Sequence, residues 1–370
     1  MNFDFSDDLK QMRDEAGRLL REKAAIATSA RPILNGGNRY DESLWKTIAD
    51  LGWLGIAIPE QFGGSAVGYQ GLCLLAEQLG RSLAPVPFLS SVYLATEALL
   101  IAGTSAQKQR FLPALAKGSL IGTFALTEGL GNPSSESIKT RVKDGVLSGR
   151  KIVVPDGGIA DFAIVAAKDS EGKVCLVVAD VRHPGVRRTD KPTIDPTRNH
   201  ATIEFANVPC EPLEAEDAWA VVMQLLDRAA VLVAFEQIGG AQACLDMARD
   251  YAVERYAFGR PIGSFQAIKH KLAQIFIAIE LARSNAYFGA WAMSEAQGEQ
   301  TSVAAAVARL SATRAYELAA KENIQTHGGV GFTWEFDCHL YYRRSKLLAL
   351  ALGSPPFWSE RLMQIVATNS

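Results

Sequence analysis

The chain has 370 residues, of which 48% are apolar and 21% charged, a composition that excludes an intrinsically disordered protein. Lysine and arginine number 38 against 40 aspartate and glutamate, so the formal charge of −2 leaves no basic excess for binding nucleic acid. No apolar run approaches the roughly 20 residues of a membrane-spanning helix. We therefore expect a folded chain of more than one domain that acts on neither nucleic acid nor a membrane.

The cysteines and the N-terminus indicate a cellular compartment. The five cysteines are odd in number, scattered and never spaced as CxxC, which favours reduced thiols over disulfides or a zinc site. The acidic start, residues 1–8, lacks the basic and apolar segments of a secretory signal. These features predict a cytoplasmic protein without a metal centre.

The first third of the chain has helical periodicity. Leu9, Met12, Ala16 and Leu19 recur at spacings of three and four, which predicts an amphipathic helix. Similar patterns cover residues 42–49, 72–79 and 91–102, and a glycine follows each of them closely. Residues 1–119 are thus predicted to form a helical domain.

Short β-rich segments follow, at residues 122–126, 150–154, 162–166, 174–178 and 201–205. Residues 169–172 (DSEG) predict a hairpin turn between two of them. Because no helix-length segment separates the strands, an antiparallel sheet is favoured over a parallel dinucleotide-binding sheet. Residues 120–215 are predicted to form this middle β-domain, and the acidic stretch 211–217 to act as a linker.

The last part of the chain is helical again, with long Ala- and Leu-rich segments at about 221–256, 265–296, 302–325 and 340–350. Long helices with short connections predict an antiparallel bundle over residues 216–370. The expected fold class is therefore α+β, with an N-terminal helical domain, a middle antiparallel β-domain and a C-terminal four-helix bundle.

Two segments of the bundle have unusual composition. In the first, residues 251–266, a helix carrying Arg255 runs into a Phe-Gly turn, a proline and a new helix. This is either a simple corner between helices or a clamp for an anion or a ring. In the second, residues 325–332 (QTHGGVGF), the glycines either end a helix or let backbone approach a phosphate or ring closely.

Together these segments resemble signatures of the acyl-CoA dehydrogenase family. Residues 255–266 are similar to its RxxFGxPIxxxQ motif, and residues 325–332 to its QxxGGxGF motif. The likeness covers nearly the whole chain, and the family fold agrees with the segmentation above.

The resemblance implies FAD-dependent α,β-dehydrogenation of an acyl-CoA thioester, as in the β-oxidation of fatty or steroid acyl-CoA. A carboxylate base takes the α-proton while hydride leaves Cβ for flavin N5. It further implies that FAD is shared across a subunit interface in a tetramer and that an electron-transfer flavoprotein accepts the electrons. The matching cofactor-binding positions are Arg255, Phe258, Gln266, Gln325, Gly329 and, in the β-domain, Thr127.

The sequence departs from the family pattern at three positions. The TExxxGSD segment reads Thr127 to Ser134, with Pro133 removing a backbone N–H, and the WIT segment that contacts the flavin reads Val153-Val154-Pro155. The two slots in which family members carry the base hold Leu352 and Ala229, and neither side chain accepts a proton. The catalytic residue is therefore unknown from the sequence.

Asp227 and Glu236 are the candidate replacement bases. Each also has a structural interpretation, in which Asp227 pairs with Arg228 and Glu236 is a buried hydrogen-bonding residue between helices. The departures from the family pattern fall on residues that would contact the flavin bound to this chain itself. An alternative is therefore that the chain is a non-catalytic partner subunit, which completes the flavin site of a heteromeric enzyme. A family-fold protein that binds acyl-CoA without turnover and an acyl-CoA oxidase also stay open.

Overall fold

The computed structural model describes residues 5–295 and 298–368. Within these residues the helices are α1 Asp7–Lys23, α2 Ala30–Leu34, α3 Glu42–Asp50, α4 Tyr69–Arg81, α5 Glu97–Ala102, α6 Ser105–Ala116, α7 Ala218–Glu254, α8 Gln266–Glu295, α9 Glu299–His327, α10 Cys338–Leu350 and α11 Pro355–Thr368. The strands are β1 Gly122–Ala125, β2 Arg141–Lys143, β3 Val146–Pro155, β4 Phe162–Lys168, β5 Val174–Asp180, β6 Val186–Asp190, β7 His200–Pro212, β8 Tyr256–Ala257 and β9 Arg260–Pro261.

Local sequence explains where several helices begin. Ser6 caps α1 by accepting a hydrogen bond from the Leu9 backbone N–H, and two aspartates follow in the first turn, where the helix dipole favours them. Asp41 caps α3 in the same way. Thr104 and Gln107 form a reciprocal capping box at the start of α6.

The chain divides into two compact units. The bundle unit comprises residues 5–31, 70–84 and the described residues from 230 onward, and the sheet unit comprises residues 32–69 and 85–229. This division follows contacts rather than chain order, and the domain boundaries at 119/120 and 215/216 stay a prediction.

The sheet unit is built on strands that pair in a closed circuit. β4 pairs with β2, β2 with β3, β3 with β7, β7 with β5, and β5 again with β4, so these strands form no free edge between them. The pairings are mainly antiparallel, and the hairpin at residues 169–172 joins β4 to β5 as predicted. Two pairings differ from the antiparallel expectation, because β1 and β2 each run parallel to β4. The connection from β1 to β4 passes through the β2–β3 hairpin rather than a direct turn.

The bundle unit is built on the long helices. α8 directs Ile275, Ile279, Ala282 and Ala286 inward at helical spacing, and α9 packs against α8, α10 and α11. Small alanine side chains dominate the buried positions of α9, which allows close packing of its neighbours.

Three sequence predictions were wrong in detail. The predicted helix over residues 91–102 is a π-helix, Leu89–Thr96, continued by α5. The predicted linker begins inside β7, because Glu211 is held by Arg110 through hydrogen bonds of 3.0 and 2.7 Å. The final helix α11 was not predicted; it begins at Pro355, and proline fits the first turn of a helix.

The sequence predicted no membrane-spanning helix, but α7 has the length and the apolar composition that would allow it to cross a membrane. In its most apolar window 67% of the residues are buried inside the protein, as expected of a core helix. This single helix is therefore weak evidence for a membrane protein.

Candidate functional site

The first signature segment forms an exposed β-hairpin at the end of α7. Arg255 follows the last helical residue, and its backbone N–H still donates to Tyr251 O at 2.8 Å. Strands β8 and β9 are joined by Phe258 and Gly259, whose φ angles of 53° and 77° match a type I′ turn. The turn leaves the Phe258 side chain 96% exposed, which is unusual for a ring that size.

The second segment ends α9 and turns sharply. Gly328 has a φ of 67°, and the following Gly329 has no heavy atom within 4 Å of the position where a Cβ would stand. Gln325, in the last turn of α9, is exposed. The segment therefore presents backbone and an amide side chain at an open surface, as close contact with a flat or charged ligand requires.

Ring and charge contacts bring both segments to one end of the bundle unit. The Tyr251 ring stacks on the His327 ring with centroids 4.2 Å apart, so the end of α7 lies on the end of α9. Lys271 Nζ lies 2.7 Å from Glu322 Oε2 and joins the start of α8 to the same end. Five of the predicted cofactor-binding residues therefore share this surface, here called the bundle end: Arg255, Phe258, Gln266, Gln325 and Gly329.

The bundle end fits an anionic ligand with an aromatic part. Among the described residues, the Arg255 side chain makes no ion pair or hydrogen bond, although it extends from a hairpin fixed by backbone bonds. An uncompensated guanidinium suits a pyrophosphate, and the exposed Phe258 ring suits a planar group.

Thr127, the sixth predicted residue, belongs to the sheet unit. It lies just after β1, and its carbonyl accepts a hydrogen bond of 2.8 Å from Ile152 N–H on β3. The next residue, Glu128, is held by Lys151 Nζ at 2.6 Å, with both side chains buried. Burial lowers the pKa of Lys151 to about 8, although Glu128 acts to raise it. Glu128 is thus a structural anchor for the Thr127 turn.

The segment that takes the place of the family's WIT motif is distorted. Val153 has a φ of 51°, which a β-branched side chain strongly disfavours, and the β3–β7 register shifts between Lys151 and Val154. The bulge turns the Val153 side chain outward, where 52% of it is exposed. An aliphatic group thus stands where the family pattern has an aromatic ring or a hydroxyl.

Neither base slot holds a carboxylate. Leu352 follows α10 with a φ of 64°, and Arg309 Nη2 donates to the carbonyl of the preceding residue, Ala351, at 2.8 Å. Ala229 is fully buried on α7. The structure thus keeps a well-ordered turn at one slot and a packed methyl group at the other.

The two candidate replacement bases are both buried. Glu236 Oε1 lies 3.3 Å from Arg344 Nη1, and both side chains are enclosed, which favours its structural interpretation. Asp227 is also buried on α7. The catalytic residue stays unassigned, and no group of three or more metal-binding side chains occurs in the described ranges.

A polar cluster that the sequence analysis did not identify lies in the sheet unit. Arg228 Nη1 donates to Glu97 Oε1 at 2.6 Å and to the Tyr69 hydroxyl at 2.7 Å. The Tyr69 hydroxyl lies 2.9 Å from both Glu97 oxygens. Burial raises the pKa of Glu97, while Arg228 and Tyr69 act to lower it. The sequence feature that could have indicated this cluster is Glu97, the single charged residue in the apolar run 89–102.

The sequence matches family models at both ends of the chain. One, for the N-terminal domain of acyl-CoA dehydrogenase, matches residues 6–119, and another, for the C-terminal domain, matches residues 217–369. A curated relative, acyl-CoA dehydrogenase IpdE2 of Mycobacterium tuberculosis, is 34% identical over 347 residues, covering 94% of this chain and 93% of the relative.

Solved structures show the same architecture. Butyryl-CoA dehydrogenase from Megasphaera elsdenii gives a TM-score of 0.90 at 26% identity, covering 99% of this chain and 100% of the other. A chain of the ChsE4–ChsE5 complex from Mycobacterium tuberculosis also gives 0.90 at 26% identity, covering 99% of both. The predicted fold class is therefore confirmed.

Proposed function

This chain belongs to the acyl-CoA dehydrogenase family and catalyses α,β-dehydrogenation of an acyl-CoA thioester, and we propose that FAD, bound partly at the bundle end, is its cofactor. The family is flavin-dependent. The observation that carries the proposal is the meeting of the Arg255 hairpin and the Gln325 turn through the stacked Tyr251 and His327 rings.

Each residue of the bundle end has a role in this proposal. Arg255 binds the pyrophosphate through its unpaired guanidinium, and Phe258 packs against the nucleotide. Gln325 and Gln266 donate or accept hydrogen bonds, and Gly329 admits backbone to close contact. Thr127, in the sheet unit, binds the flavin part of an FAD molecule whose nucleotide part is held by the bundle end of another subunit. FAD would supply the acceptor for the hydride that leaves Cβ of the substrate.

We propose that the enzyme is a tetramer, either of identical copies or with a related subunit. An exposed apolar stripe on α8, formed by Phe276, Ile277 and Leu281, supports oligomer formation, because such a stripe is unfavourable in water. The absence of a carboxylate at Leu352 and Ala229 supports a related subunit. The comparisons do not favour the stronger alternative, in which this chain has no part in catalysis.

The electron acceptor and the compartment are further parts of the proposal. An electron-transfer flavoprotein takes the electrons, and the five thiols, all free in the structure, support a reducing cytoplasm. A substrate-dependent consumption of O2 without added acceptor would instead identify an oxidase.

The absorption spectrum of the purified chain tests the cofactor. We expect flavin bands, either from the lone chain or on co-expression with a related subunit, and bleaching of these bands by an acyl-CoA under anaerobic conditions. Binding with no bleaching by any acyl-CoA would identify a non-catalytic binder.

Two arginine variants test the bundle end. Arg255→Gln should weaken FAD binding about tenfold or more, because a charge-assisted hydrogen bond to phosphate is lost. Arg249→Gln is the matched control, because Arg249 lies on α7 near the same end but is paired with Asp246 and Asp250. Equal FAD affinity in both variants would contradict the proposed site.

A further inference from the structure

Arg228 is held in place by the protein, but only part of its hydrogen-bonding capacity is satisfied. Its Nη1 group makes both hydrogen bonds of the cluster, to Glu97 and Tyr69, and its guanidinium lies 4.9 Å from the centre of the Tyr69 ring. Its Nε and Nη2 groups donate to no atom in the described part of the chain, and neither nitrogen is an enclosed polar atom without a partner. The side chain as a whole is 22% exposed. Arg228 thus offers oriented, unused donors at an accessible surface.

The position of the cluster relates it to the acyl group. Arg228 directly precedes Ala229, the slot in which some family members carry the base that contacts the substrate α-carbon. Glu97 begins α5 at the end of the π-helix Leu89–Thr96, and π-helical turns occur frequently at functional sites.

We propose that Arg228 is a specificity-determining residue that donates hydrogen bonds to an oxygen atom on the acyl group, so that the preferred substrates are acyl-CoA thioesters carrying a carbonyl or hydroxyl beyond the thioester. The proposal rests on the proposed function, because it assumes that the acyl group of the oxidised thioester reaches this cluster.

Charge decides which kind of oxygen fits. Glu97 already compensates the charge of Arg228 at 2.6 Å, so the cluster as a whole is close to neutral. A second carboxylate from the substrate would lie near Glu97 and be repelled by it. A neutral carbonyl or hydroxyl accepts the free N–H groups without that cost. Glu97 is a positioning residue in this arrangement, since it orients Arg228 and sets its net charge.

Matched substrates test the proposal on the assembled, flavin-loaded enzyme. The probes are octanoyl-CoA, a set of monooxo isomers of the octanoyl thioester with the oxo group beyond Cβ, and the terminally carboxylated octanedioyl-CoA, compared by the second-order rate constant of flavin reduction. At least one oxo isomer should exceed octanoyl-CoA by about tenfold, as expected for a hydrogen bond to a charged donor. In Arg228→Met this ratio should fall to about one.

Arg110→Met is the control, because Arg110 makes an exposed ion pair with Glu211 in the same unit, and it should keep the wild-type ratio. A ratio near one for every oxo isomer in the wild type, or a ratio that survives in Arg228→Met, would overturn the proposal. Failure to oxidise any thioester, octanoyl-CoA included, would instead count against the proposed function.

A second variant separates recognition from a structural role. Glu97→Gln keeps the shape and a hydrogen-bonding oxygen but leaves the Arg228 charge uncompensated. The preference should then shift toward octanedioyl-CoA by about tenfold relative to the oxo esters, while a purely structural Glu97 would change all thioesters alike. If Arg228→Met does not fold, this near-isosteric change still decides the question.

Discussion

Leu352 and Val153 have backbone torsions that their own side chains disfavour. Their φ angles of 64° and 51° lie in the left-handed region, which costs a non-glycine residue about 1–2 kcal/mol. Both stand where the family resemblance places functional segments, the base slot and the flavin-contacting WIT segment. The backbone strain therefore falls on two segments that the family resemblance associates with function.

A carboxylate at position 352 should supply a base for abstraction of the substrate α-proton. We expect Leu352→Glu to accelerate anaerobic flavin reduction by an acyl-CoA about a hundredfold, a typical contribution of a positioned general base. Stopped-flow absorbance measures this rate. Leu352→Gln is the matched control, because it has the same shape and no proton acceptor of comparable basicity. Equal rates for the two variants would show that the α-proton is removed by another group.

At the scale of elements, α4 and α7 cross in direct backbone contact. A Cβ on Gly239 would lie 1.8 Å from the Glu77 carbonyl oxygen, and one on Gly80 would lie 1.9 Å from that of Glu236. No side chain fits at either position unless the helices separate. This crossing therefore depends on glycine at both sites, even though glycine lowers helix propensity.

Gly239→Ala should lower the free energy of unfolding by about 3 kcal/mol, because the added methyl group overlaps backbone that has no room to move. Chemical denaturation followed by circular dichroism measures the change. Gly17→Ala in α1 is the control: its Cβ would meet chiefly the flexible end of Gln78, so helix propensity should leave stability unchanged or raise it by up to about 1 kcal/mol. A similar effect of both substitutions would contradict the packing argument.

The segment after β1 is held to β3 by a buried ion pair between Glu128 and Lys151. Lys151 Nζ also donates to the Leu126 carbonyl at 3.0 Å. Lys151→Met should lower the free energy of unfolding by about 3 kcal/mol, since it leaves the Glu128 carboxylate buried without its cation. Lys173→Met, which removes an exposed lysine, should have little effect. A similar small effect at both lysines would show that the pair does not hold the Thr127 turn.

The pair also has a predicted pH dependence. Burial depresses the pKa of Lys151 to about 8 in the folded protein, below its ordinary value of 10.5. Between these values the unfolded chain binds more protons, so the Lys151 contribution to stability increases as pH rises. The stability difference between wild type and Lys151→Met should therefore grow from pH 7.5 toward pH 10, about the range set by the two pKa values. A constant difference across this range would exclude a depressed pKa.

At the scale of the whole molecule, the apolar stripe on α8 is the surface that supports the proposed oligomer. Ile277 is 56% exposed and lies beside Phe276 and Leu281, while the opposite face of the helix is buried. Ile277→Glu should dissociate the oligomer, because a charge at the centre of an apolar contact must lose its hydration. Light scattering coupled to size-exclusion chromatography measures the mass.

The control for this substitution is Leu51→Glu. Leu51 is 54% exposed at the end of α3 and has no comparable apolar stripe around it on that helix. The Leu51 variant should keep the wild-type mass. An Ile277 variant that also keeps it would show that α8 is not the interface.

The sequence by itself determined the succession of a helical, a β-rich and a second helical segment, the family, and the two motifs that contain the five residues of the bundle end. These depend on local properties: hydrophobic periodicity, capping residues, and the short motifs around Arg255 and Gln325. A tight turn at Phe258-Gly259 was predicted from the sequence as well, but its type I′ geometry was not, because that turn needs a positive φ at both residues and Phe disfavours one.

Only the tertiary structure decided which distant residues meet. Glu97 and Arg228 are separated by 131 positions, and Lys151 and Glu128 by 23, and no periodicity relates them. The parallel pairing of β1 with β4 and the glycine crossing of α4 with α7 depend in the same way on how the chain folds back. A contact between remote segments is set by the packing of the whole unit, so its partners cannot be obtained from the local pattern of either one.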